Sequence, residues 1–241
     1  MTKTAIVTGA SRGIGRSIAA RLADDGANVV VNYQGNAVAA NEAVAEITES
    51  GGRAIAIQAD LAVSADVEHL FKDALAVFGG IDILVNNAAH FLYGSTAELS
   101  EAEFDRAVAV NIKGTFLALQ QASRHLNDGG RVINISGEAT RTARANLGAL
   151  AATKAAIEQL GLGLAKELGP RGITVNNVLP GITDTGKLTV DDRAALEPIV
   201  ASTPLGRLGE PSDIAEIVAF LAGDGARWLT GQNIGATGGL A

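Results

Sequence analysis

The chain has 241 residues, of which 47% are apolar, and its formal net charge at pH 7 is −7. This acidic balance lacks the basic footprint of a nucleic-acid-binding protein, and the absence of cysteine excludes disulfides and cysteine metal sites. The N-terminus lacks the apolar region of a signal peptide, and no apolar run is long enough to cross a bilayer. We therefore expect a cytoplasmic protein with no membrane partner and no metal.

Short β-branched runs alternate with longer helical patterns along the whole chain. The predicted strands are Ala5–Thr8, Asn28–Tyr33, Ala54–Gln58, Ile81–Asn86, Arg131–Ser136, Ile173–Leu179 and Gln232–Gly235. The predicted helices are Gly13–Asp25, Ala37–Ser50, Ser64–Phe78, Glu101–His125, Leu147–Leu168 and Pro211–Leu221. This alternation predicts a single α/β domain over residues 1–241, with a doubly wound parallel sheet of the Rossmann type and helices on both faces. The least periodic stretch, Ile182–Leu208, predicts a mobile segment with one short helix that covers a ligand crevice.

A glycine-rich loop, Thr8–Gly15, follows the first predicted strand and opens the first helix. Its glycines permit a tight turn and a close approach of the backbone to a pyrophosphate, which the helix N-terminus attracts. An ordinary strand-to-helix turn is the alternative interpretation, and the surrounding strand and helix favour the phosphate loop. The candidate cofactor-binding residues of this loop are Gly9, Ser11, Arg12, Gly13, Ile14 and Gly15.

The end of the second strand bears on the choice of cofactor. An acidic residue there would bind the ribose 2′-hydroxyl of NAD and repel a 2′-phosphate. The sequence has Asn32, Tyr33 and Gln34 instead, and Arg12 stands within the loop. Although Arg12 on its own could be a solvated surface cation, the combination favours NADP(H), with Asn32 and Tyr33 as further cofactor contacts.

Several ordered motifs resemble the short-chain dehydrogenase/reductase family over essentially the whole chain. They are TGASRGIG, Asp60, Asn86-Asn87-Ala88-Ala89, Asn111, Lys154 and Pro180-Gly181. The single-domain 3-oxoacyl-carrier-protein reductases and related ketoreductases are the members that the chain resembles most. The resemblance implies a small-molecule substrate and a homotetramer (or homodimer), with interfaces formed by Glu101–His125 and Leu147–Leu168.

The resemblance also implies a role for each matching position. Asp60 would hold the adenine edge with Leu61 beside it, and Asn86 and Ala88 would line the adenosine ribose, with Asn87 a further contact. Lys154 would bind the nicotinamide ribose, and Asn111 would support a water relay through a break in its helix. The nicotinamide would face the turn formed by Pro180, Gly181, Ile182 and Thr183.

Two positions depart from the family pattern. The serine and tyrosine that handle protons in the family are replaced by Gly137 and Leu150, and Ser136 should point away because alternate strand residues face opposite sides. Leu147 stands where the enoyl-reductase variant of the motif has its tyrosine. Loss of a positioned general acid typically costs about 10²–10⁴-fold in rate, and Lys154 cannot replace a phenol at the carbonyl oxygen without moving. Ordinary ketone reduction is therefore disfavoured.

Three other routes remain open. An iminium substrate needs no acid, an enone could take a proton from solvent, and another side chain could donate. We rank His90 and Tyr93 first among donors and Glu138 next, with Arg141 and Arg144 on the same rim as clamps for an anionic substrate. The plainer interpretations are a surface histidine, a pocket wall and solvated charges.

These observations lead to three functional hypotheses. The first is an NADPH-dependent reductase with a non-standard proton source, acting on an imine-like, enone or unusual carbonyl substrate. The second is a non-redox biosynthetic catalyst, such as a cyclase or isomerase, and the third is a catalytically inactive NADP-binding scaffold. Consumption of NADPH distinguishes the first from the other two.

Overall fold

The computed structural model describes residues 2–142, 144–186 and 190–241, and its seven parallel strands form one sheet in the order β3-β2-β1-β4-β5-β6-β7. The strands are β1 Thr4–Val7, β2 Asn28–Tyr33, β3 Arg53–Gln58, β4 Ile81–Asn86, β5 Leu126–Ile135, β6 Thr174–Pro180 and β7 Gln232–Ala236. The helices are α1 Gly13–Asp24, α2 Ala37–Glu49, α3 Ser64–Phe78, α4 Glu101–Ala107, α5 Thr115–His125, α6 Ala139–Thr142, α7 Gly148–Leu168, α8 Val190–Ser202 and α9 Pro211–Ala222. The predicted doubly wound α/β fold is confirmed.

The structure differs most from the predicted elements in three places: strand β5, the helix predicted over Glu101–His125, and the stretch 182–208. Strand β5 begins five residues before the predicted Arg131, so the glycine pair at 129–130 lies within the strand. Its pairing with β4 is irregular between Ile81 and Ile83. The predicted helix Glu101–His125 is divided by a π-helix, Val108–Gly114. In the irregular stretch 182–208, helix α8 is longer than expected, and residues 187–189 lie outside the described residues.

Successive strand residues supply two separate apolar cores, one on each face of the sheet. Val29 and Val31 of β2 pack with α1, α2 and α9, whereas Val30 between them packs on the face covered by α3, α5 and α7. This alternation is the expected consequence of the two-residue repeat of a strand that is buried on both sides. Because every strand pairing is parallel, the carboxyl ends of the strands lie at one edge of the sheet, where ligands bind in open α/β sheets.

Four asparagines in register form a chain of side-chain hydrogen bonds across β4 to β7, which we call the amide chain. The Nδ2 atom of Asn86 donates to Asn134 Oδ1 at 2.8 Å, Asn134 donates to Asn177 at 2.9 Å, and Asn177 donates to Asn233 at 2.6 Å. Asn233 then donates to the Glu158 carboxylate at 3.1 Å. The amide chain therefore links the four strands near their carboxyl ends to helix α7.

Helix α7 can approach the amide chain because residue 161 is a glycine. A Cβ atom at Gly161 would lie 2.5 Å from Asn177 Oδ1 and 2.8 Å from Asn134 Nδ2. Gly163, two residues further along the same helix, is exposed, and a Cβ atom there would meet no atom within 4 Å. The two glycines thus have opposite surroundings within one helix.

Replacing each glycine by alanine should change stability in opposite directions. We expect Gly161→Ala to lower the free energy of unfolding by about 1–3 kcal/mol, because the added methyl group displaces buried amides. Gly163→Ala should raise it by about 0.5–1 kcal/mol, since alanine favours the helix and nothing obstructs it. Urea unfolding followed by circular dichroism measures both, and equal effects at the two positions would contradict close packing on the amide chain.

Candidate active site

The loop after β1 is shaped by glycines that bring it against the loop after β4. Gly9 has φ +62°, and a Cβ atom there would lie 2.9 Å from Ala88 Cα. A Cβ atom at Gly15 would lie 2.5 Å from the Gly9 carbonyl oxygen, and Gly13 opens α1 with φ +54°. The first turn of α1 contains no acidic residue and no side chain caps it, so its N–H groups and dipole can attract an anion. These features fit the pyrophosphate of a dinucleotide.

Thr8 and Asn87 tie the two loops together. The Thr8 hydroxyl oxygen accepts hydrogen bonds from the backbone N–H groups of Asn87 and Ala88 at 2.9 and 3.0 Å. The Asn87 side chain donates to the carbonyl oxygens of Thr8 and Gly9 at 2.9 and 3.2 Å. The side chain of Asn87 therefore shapes the predicted cofactor site. Thr8, the first residue of the glycine-rich loop, also shapes it, although the sequence analysis did not name it as a site residue.

Asn32 supports the glycine loop from beneath. Its Oδ1 atom accepts a hydrogen bond from the Gly9 N–H group at 3.2 Å, and its Nδ2 atom donates to the Ile57 and Ala59 carbonyl oxygens at 3.3 and 3.2 Å. The residue is buried and its side chain is engaged by the protein. Tyr33, next to it, is partly buried and packs against the apolar core.

The Asp60 carboxylate lies in a hydrogen-bonded cluster at the end of β3. It accepts hydrogen bonds from Arg106 at 3.0 and 3.2 Å, from Gln34 at 3.1 Å and from the Ala62 N–H group at 3.0 Å. Burial by itself would raise the pKa of Asp60, but the bonds from Ala62 and Arg106 outweigh it and lower the pKa. Leu61 is buried against the π-helix. A Cβ atom at Gly114 of that helix would lie 2.8 Å from the Cβ atom of Leu61.

Lys154 is the most perturbed titratable group near the site. Its side chain is buried, and Nζ donates to the Ile135 carbonyl oxygen at 2.8 Å. Desolvation of the ammonium by burial lowers the pKa of Lys154 to about 8. The amine is therefore held at the end of β5, and it can exchange a proton near neutral pH.

Asn111 lies in the π-helix and clamps the loop that follows β4. Its Oδ1 atom accepts a hydrogen bond from the His90 N–H group at 2.7 Å, and its Nδ2 atom donates to the His90 carbonyl at 3.0 Å and to the Thr153 hydroxyl at 3.0 Å. The helix break that the resemblance implied at this residue is present. The water relay stays a prediction.

The resemblance implies proton-handling side chains at positions 137 and 150, and the residues there, Gly137 and Leu150, carry no polar group. A Cβ atom at Gly137 would meet no atom within 4 Å, so this position borders open space. Leu150 is 8% exposed and packs in an apolar cluster with Leu92 and Ala107. Ser136, the neighbour of Gly137, donates its hydroxyl to the Glu158 carboxylate at 2.7 Å and is therefore already engaged.

The alternative proton donors differ in how the protein holds them. Tyr93 is 66% exposed, and His90 is partly buried with its backbone fixed by Asn111. Glu138 is buried, accepts a hydrogen bond from Thr142 at 2.5 Å and forms an ion pair with Arg144 at 3.2 Å. Glu138 is thus not the solvated loop residue of the plainer interpretation.

Glu158 organises the segment that follows β5. Its carboxylate accepts hydrogen bonds from Thr140 at 2.8 Å and from Arg141 at 2.7 Å, in addition to those from Ser136 and Asn233. Sequence reasoning missed this residue, although it lies four residues after Lys154 and so on the same face of α7. Arg141 and Arg144 therefore both pair with carboxylates at this rim.

The turn after β6 is held between β7 and the segment after β5. The Gly181 N–H group donates to the Ala236 carbonyl at 2.9 Å, and the Pro180 carbonyl accepts from the Glu138 N–H group at 2.9 Å. The Thr183 hydroxyl donates to the Gly181 carbonyl at 3.0 Å. A cavity of about 400 Å³ lies beside this turn, and its lining includes Gly181, Ile182, Ile199, Leu205 and Leu208.

Within the described residues, no helix is long and apolar enough to cross a membrane. The same part of the chain contains no group of three or more histidine, cysteine, aspartate or glutamate side chains arranged to hold a metal ion.

Comparison with known proteins places this site in a family. The family model described as enoyl-(acyl carrier protein) reductase matches residues 9–241. An uncharacterized oxidoreductase of Methylorubrum extorquens is 45% identical over 241 residues, which cover 99% of this chain and 97% of the relative. The promiscuous reductase LugOII, which catalyses keto-reduction at C1 during lugdunomycin biosynthesis, is 46% identical with a TM-score of 0.94 over 99% of this chain and 97% of its own.

A second solved structure bears on the cofactor. The angucycline C-6 ketoreductase LanV, determined with bound NADP, is 43% identical with a TM-score of 0.94 over 99% of this chain and 95% of its own. The family match, the relatives and the fold agree with the resemblance seen in the sequence motifs. The chain therefore belongs to the short-chain dehydrogenase/reductase family and is an oxidoreductase of that family.

Proposed function

We propose that this protein is an NADP(H)-dependent reductase that acts on an imine-like, enone or unusual carbonyl substrate without the serine and tyrosine of its family. One observation carries the proposal: Leu150 is buried in an apolar cluster one helical turn before Lys154, while Lys154 itself remains buried and anchored. The cofactor side of the site thus keeps its architecture, whereas the usual proton donor is absent. A non-standard proton source follows from this combination.

The preference for NADP(H) over NAD(H) is supported by charge. No carboxylate follows β2 at positions 32–34, so a 2′-phosphate would meet no anion there. Arg12, at the N-terminus of α1, is exposed and has no ion-pair partner within the described residues. LanV, solved with bound NADP, supports the same cofactor.

The residues of this chain would hold the cofactor along the carboxyl edge of the sheet. When bound, NADPH supplies a hydride to an electrophilic carbon of the substrate. The glycine loop would hold the pyrophosphate, the Asp60 cluster the adenine, Lys154 the nicotinamide ribose, and the turn at 180–183 the nicotinamide ring. Because this turn is fixed to both β7 and the segment after β5, it would orient the ring with little freedom.

We also propose that the protein assembles as a homotetramer or homodimer through α4, α5 and α7. Phe104 of α4 and Phe116 of α5 are 42% and 47% exposed, so each of these helices presents a large apolar side chain that a partner could cover. The outward face of α7 carries small exposed residues, namely Gly148, Ala152 and Ala155. Small residues allow two helices to approach closely, whereas Gly161 on the opposite face serves the packing of α7 on the sheet.

Removal of the Arg12 charge should weaken NADPH binding and leave NADH binding nearly unchanged. A charged hydrogen bond to the 2′-phosphate contributes about 1.5–3 kcal/mol, so we expect Arg12→Ala to weaken NADPH binding by about 10–100-fold. Fluorescence titration of both cofactors measures the ratio. Arg16→Ala is the matched control, because Arg16 lies on the same helix but pairs with Glu46 at 2.9 Å. An equal loss for NADPH and NADH in Arg12→Ala would contradict the proposed contact.

Single-turnover oxidation of bound NADPH tests the proposed reaction. We expect oxidation with at least one imine, enone or activated ketone, and slow or absent turnover of simple ketones because no phenol is positioned to donate. Absorbance at the reduced-nicotinamide band follows the reaction. Failure of the whole panel would overturn the proposal, and product formation without NADPH loss would support a cyclase or isomerase instead. NADPH binding without any chemistry would support a scaffold.

The double variant Gly137→Ser with Leu150→Tyr provides the positive control. Because Lys154 and the cofactor side are intact, restoration of the two side chains should raise simple-ketone reduction by about 10²–10⁴-fold. Each single variant should recover less than the pair. No gain in a folded double variant would show that the site had diverged beyond these two positions.

A charge on the outward face of α7 should disrupt the assembly. We expect Ala155→Glu to reduce the mass measured by light scattering at micromolar concentration, because like charges would face each other across a packed interface. Lys72→Glu, on the exposed face of α3, is the control and should leave the mass unchanged. A monomeric wild-type protein under these conditions would contradict the proposed assembly.

A further inference from the structure

The Gln34 side chain links the carboxyl ends of two neighbouring strands. Gln34 follows the last residue of β2, and its Nε2 atom donates a hydrogen bond to Asp60 Oδ2, beyond the end of β3, at 3.1 Å. Its main chain is held in place, because Gln58 Nε2 donates to the Gln34 carbonyl oxygen at 2.8 Å. Since Gln34 is exposed, its side chain can turn to another acceptor without disturbing the core.

Hydrogen bonds occupy all of the acceptor positions of the Asp60 carboxylate. An ionised carboxylate offers about four lone-pair positions. Oδ1 accepts from the Ala62 N–H group at 3.0 Å and from Arg106 at 3.2 Å, whereas Oδ2 accepts from Arg106 at 3.0 Å and from Gln34 at 3.1 Å. A further donor, such as the amino group of an adenine, therefore has to displace one of these four bonds.

Gln34 is the donor that Asp60 can most readily release. The Ala62 N–H group belongs to the main chain and cannot turn away by itself. The bonds from Arg106 join opposite charges in a partly buried ion pair, which strengthens them. The Gln34 amide is uncharged and exposed, so water or another acceptor can replace Asp60 as its partner at little cost.

Gln34 also lies at the place where a ribose 2′ substituent would be recognised. The Ala10 N–H group donates to the Asn32 carbonyl oxygen at 2.8 Å, so the glycine loop that carries Arg12 lies against the end of β2. In sheets of this type, a residue at the end of the second strand contacts the ribose 2′ position. A Cβ atom at Gly35 would meet nothing within 4 Å, and the first turn of α2 contains no acidic residue. A 2′-phosphate and Asp60 would therefore compete for the same Gln34 amide.

We propose that Gln34 couples the recognition of the 2′-phosphate to the recognition of the adenine. The inference rests on the proposed binding of NADP(H) and names a specificity-determining residue for it. As the cofactor binds, the Gln34 amide leaves Asp60 Oδ2 and donates to the 2′-phosphate, and the acceptor position that it leaves receives the adenine amino group. Arg106 holds the carboxylate in place during this exchange. The 2′-hydroxyl of NAD(H) is uncharged and attracts the amide less than a phosphate does, so the adenine of NAD(H) has to compete with Gln34.

Four reduced dinucleotides test the coupling in the wild-type protein. They are NADPH, NADH and their hypoxanthine analogues, in which a carbonyl oxygen replaces the adenine amino group. Fluorescence titration gives the loss of affinity on this replacement, with and without the 2′-phosphate. We expect the loss to be about tenfold larger in the phosphorylated pair, which is a usual strength of coupling between two sites. Other effects of the hypoxanthine ring are common to both pairs and cancel in this comparison.

The variant Gln34→Ala should change the two cofactor affinities in different directions. NADPH loses a donor to its phosphate and should bind about tenfold more weakly. NADH should bind as tightly as before or more tightly, because Asp60 Oδ2 is then open to the adenine, and the two pairs should show equal losses on replacement of the amino group. A merely structural role of Gln34 would weaken both cofactors alike, and that result would overturn the inference.

The variant Gln58→Ala is the matched control. Gln58 is an exposed amide at the end of β3, but it donates to a main-chain carbonyl oxygen and not to Asp60. We expect this variant to keep the wild-type difference between the two pairs. Loss of the coupling in Gln58→Ala as well would contradict a specific role of the Gln34 side chain.

The outcomes separate this inference from the proposed function. If the wild-type protein does not bind NADPH more tightly than NADH, the proposed cofactor preference fails and the coupling fails with it. If NADPH is preferred but the amino group contributes equally in the two pairs, the NADP(H) proposal stands and Gln34 does not couple the two contacts. Because the titrations need no substrate, they decide this point whether or not a substrate oxidises NADPH.

Discussion

The Glu158 carboxylate is buried on the inner face of α7, and such a charge is tolerated only when donors surround it. Here the donors come from the segment after β5 and, through Asn233, from the amide chain that crosses four strands. One carboxylate thus joins helix, sheet and loop at the edge where the ligand site lies. Because each amide in the chain donates to the next, their dipoles align toward the negative charge and reinforce one another.

This arrangement fixes the segment after β5 without a contribution from the side chain at position 137. In this protein the segment that carries Gly137 is held by its neighbours Ser136, Thr140 and Arg141, all of which bind Glu158. On the other side of Lys154, the Asn111 clamp fixes the backbone of His90. Lys154 itself is held by its hydrogen bond to the Ile135 carbonyl oxygen, and Leu150, one turn earlier on α7, packs among apolar side chains.

Membership of the family limits the chemistry without specifying it. The relatives with solved structures include ketoreductases, and the cofactor side of this chain matches what a dinucleotide needs. Yet the same fold supports many reactions, and the reacting groups decide which one occurs. Here Lys154 is buried and hydrogen-bonded to the Ile135 carbonyl oxygen, Gly137 borders open space, and Leu150 is part of an apolar cluster.

The local patterns of the sequence were sufficient for the fold and for the position of the glycine-rich loop between β1 and α1. The alternation of strands and helices, and the glycine-rich turn between β1 and α1, depend on patterns among neighbouring residues. For this reason most predicted element bounds agree within two residues with those in the structure. The glycine pair within β5 misled this reasoning, because two glycines favour a turn when no sheet partner is considered. Positions 137 and 150 were singled out only by the resemblance to the family, counted back from Lys154.

Only the tertiary structure decided which polar side chains are occupied by hydrogen bonds or ion pairs within the protein. Asn86 and Asn233 are 147 positions apart in the chain, so no local pattern indicates that strand register brings them into one hydrogen-bonded chain. Glu138, a candidate proton donor in a loop, is buried and paired with Arg144, and Lys154, the predicted ribose ligand, is buried and donates to the Ile135 carbonyl oxygen. Sequence determines which groups exist, whereas burial and distant partners set their charge and reactivity.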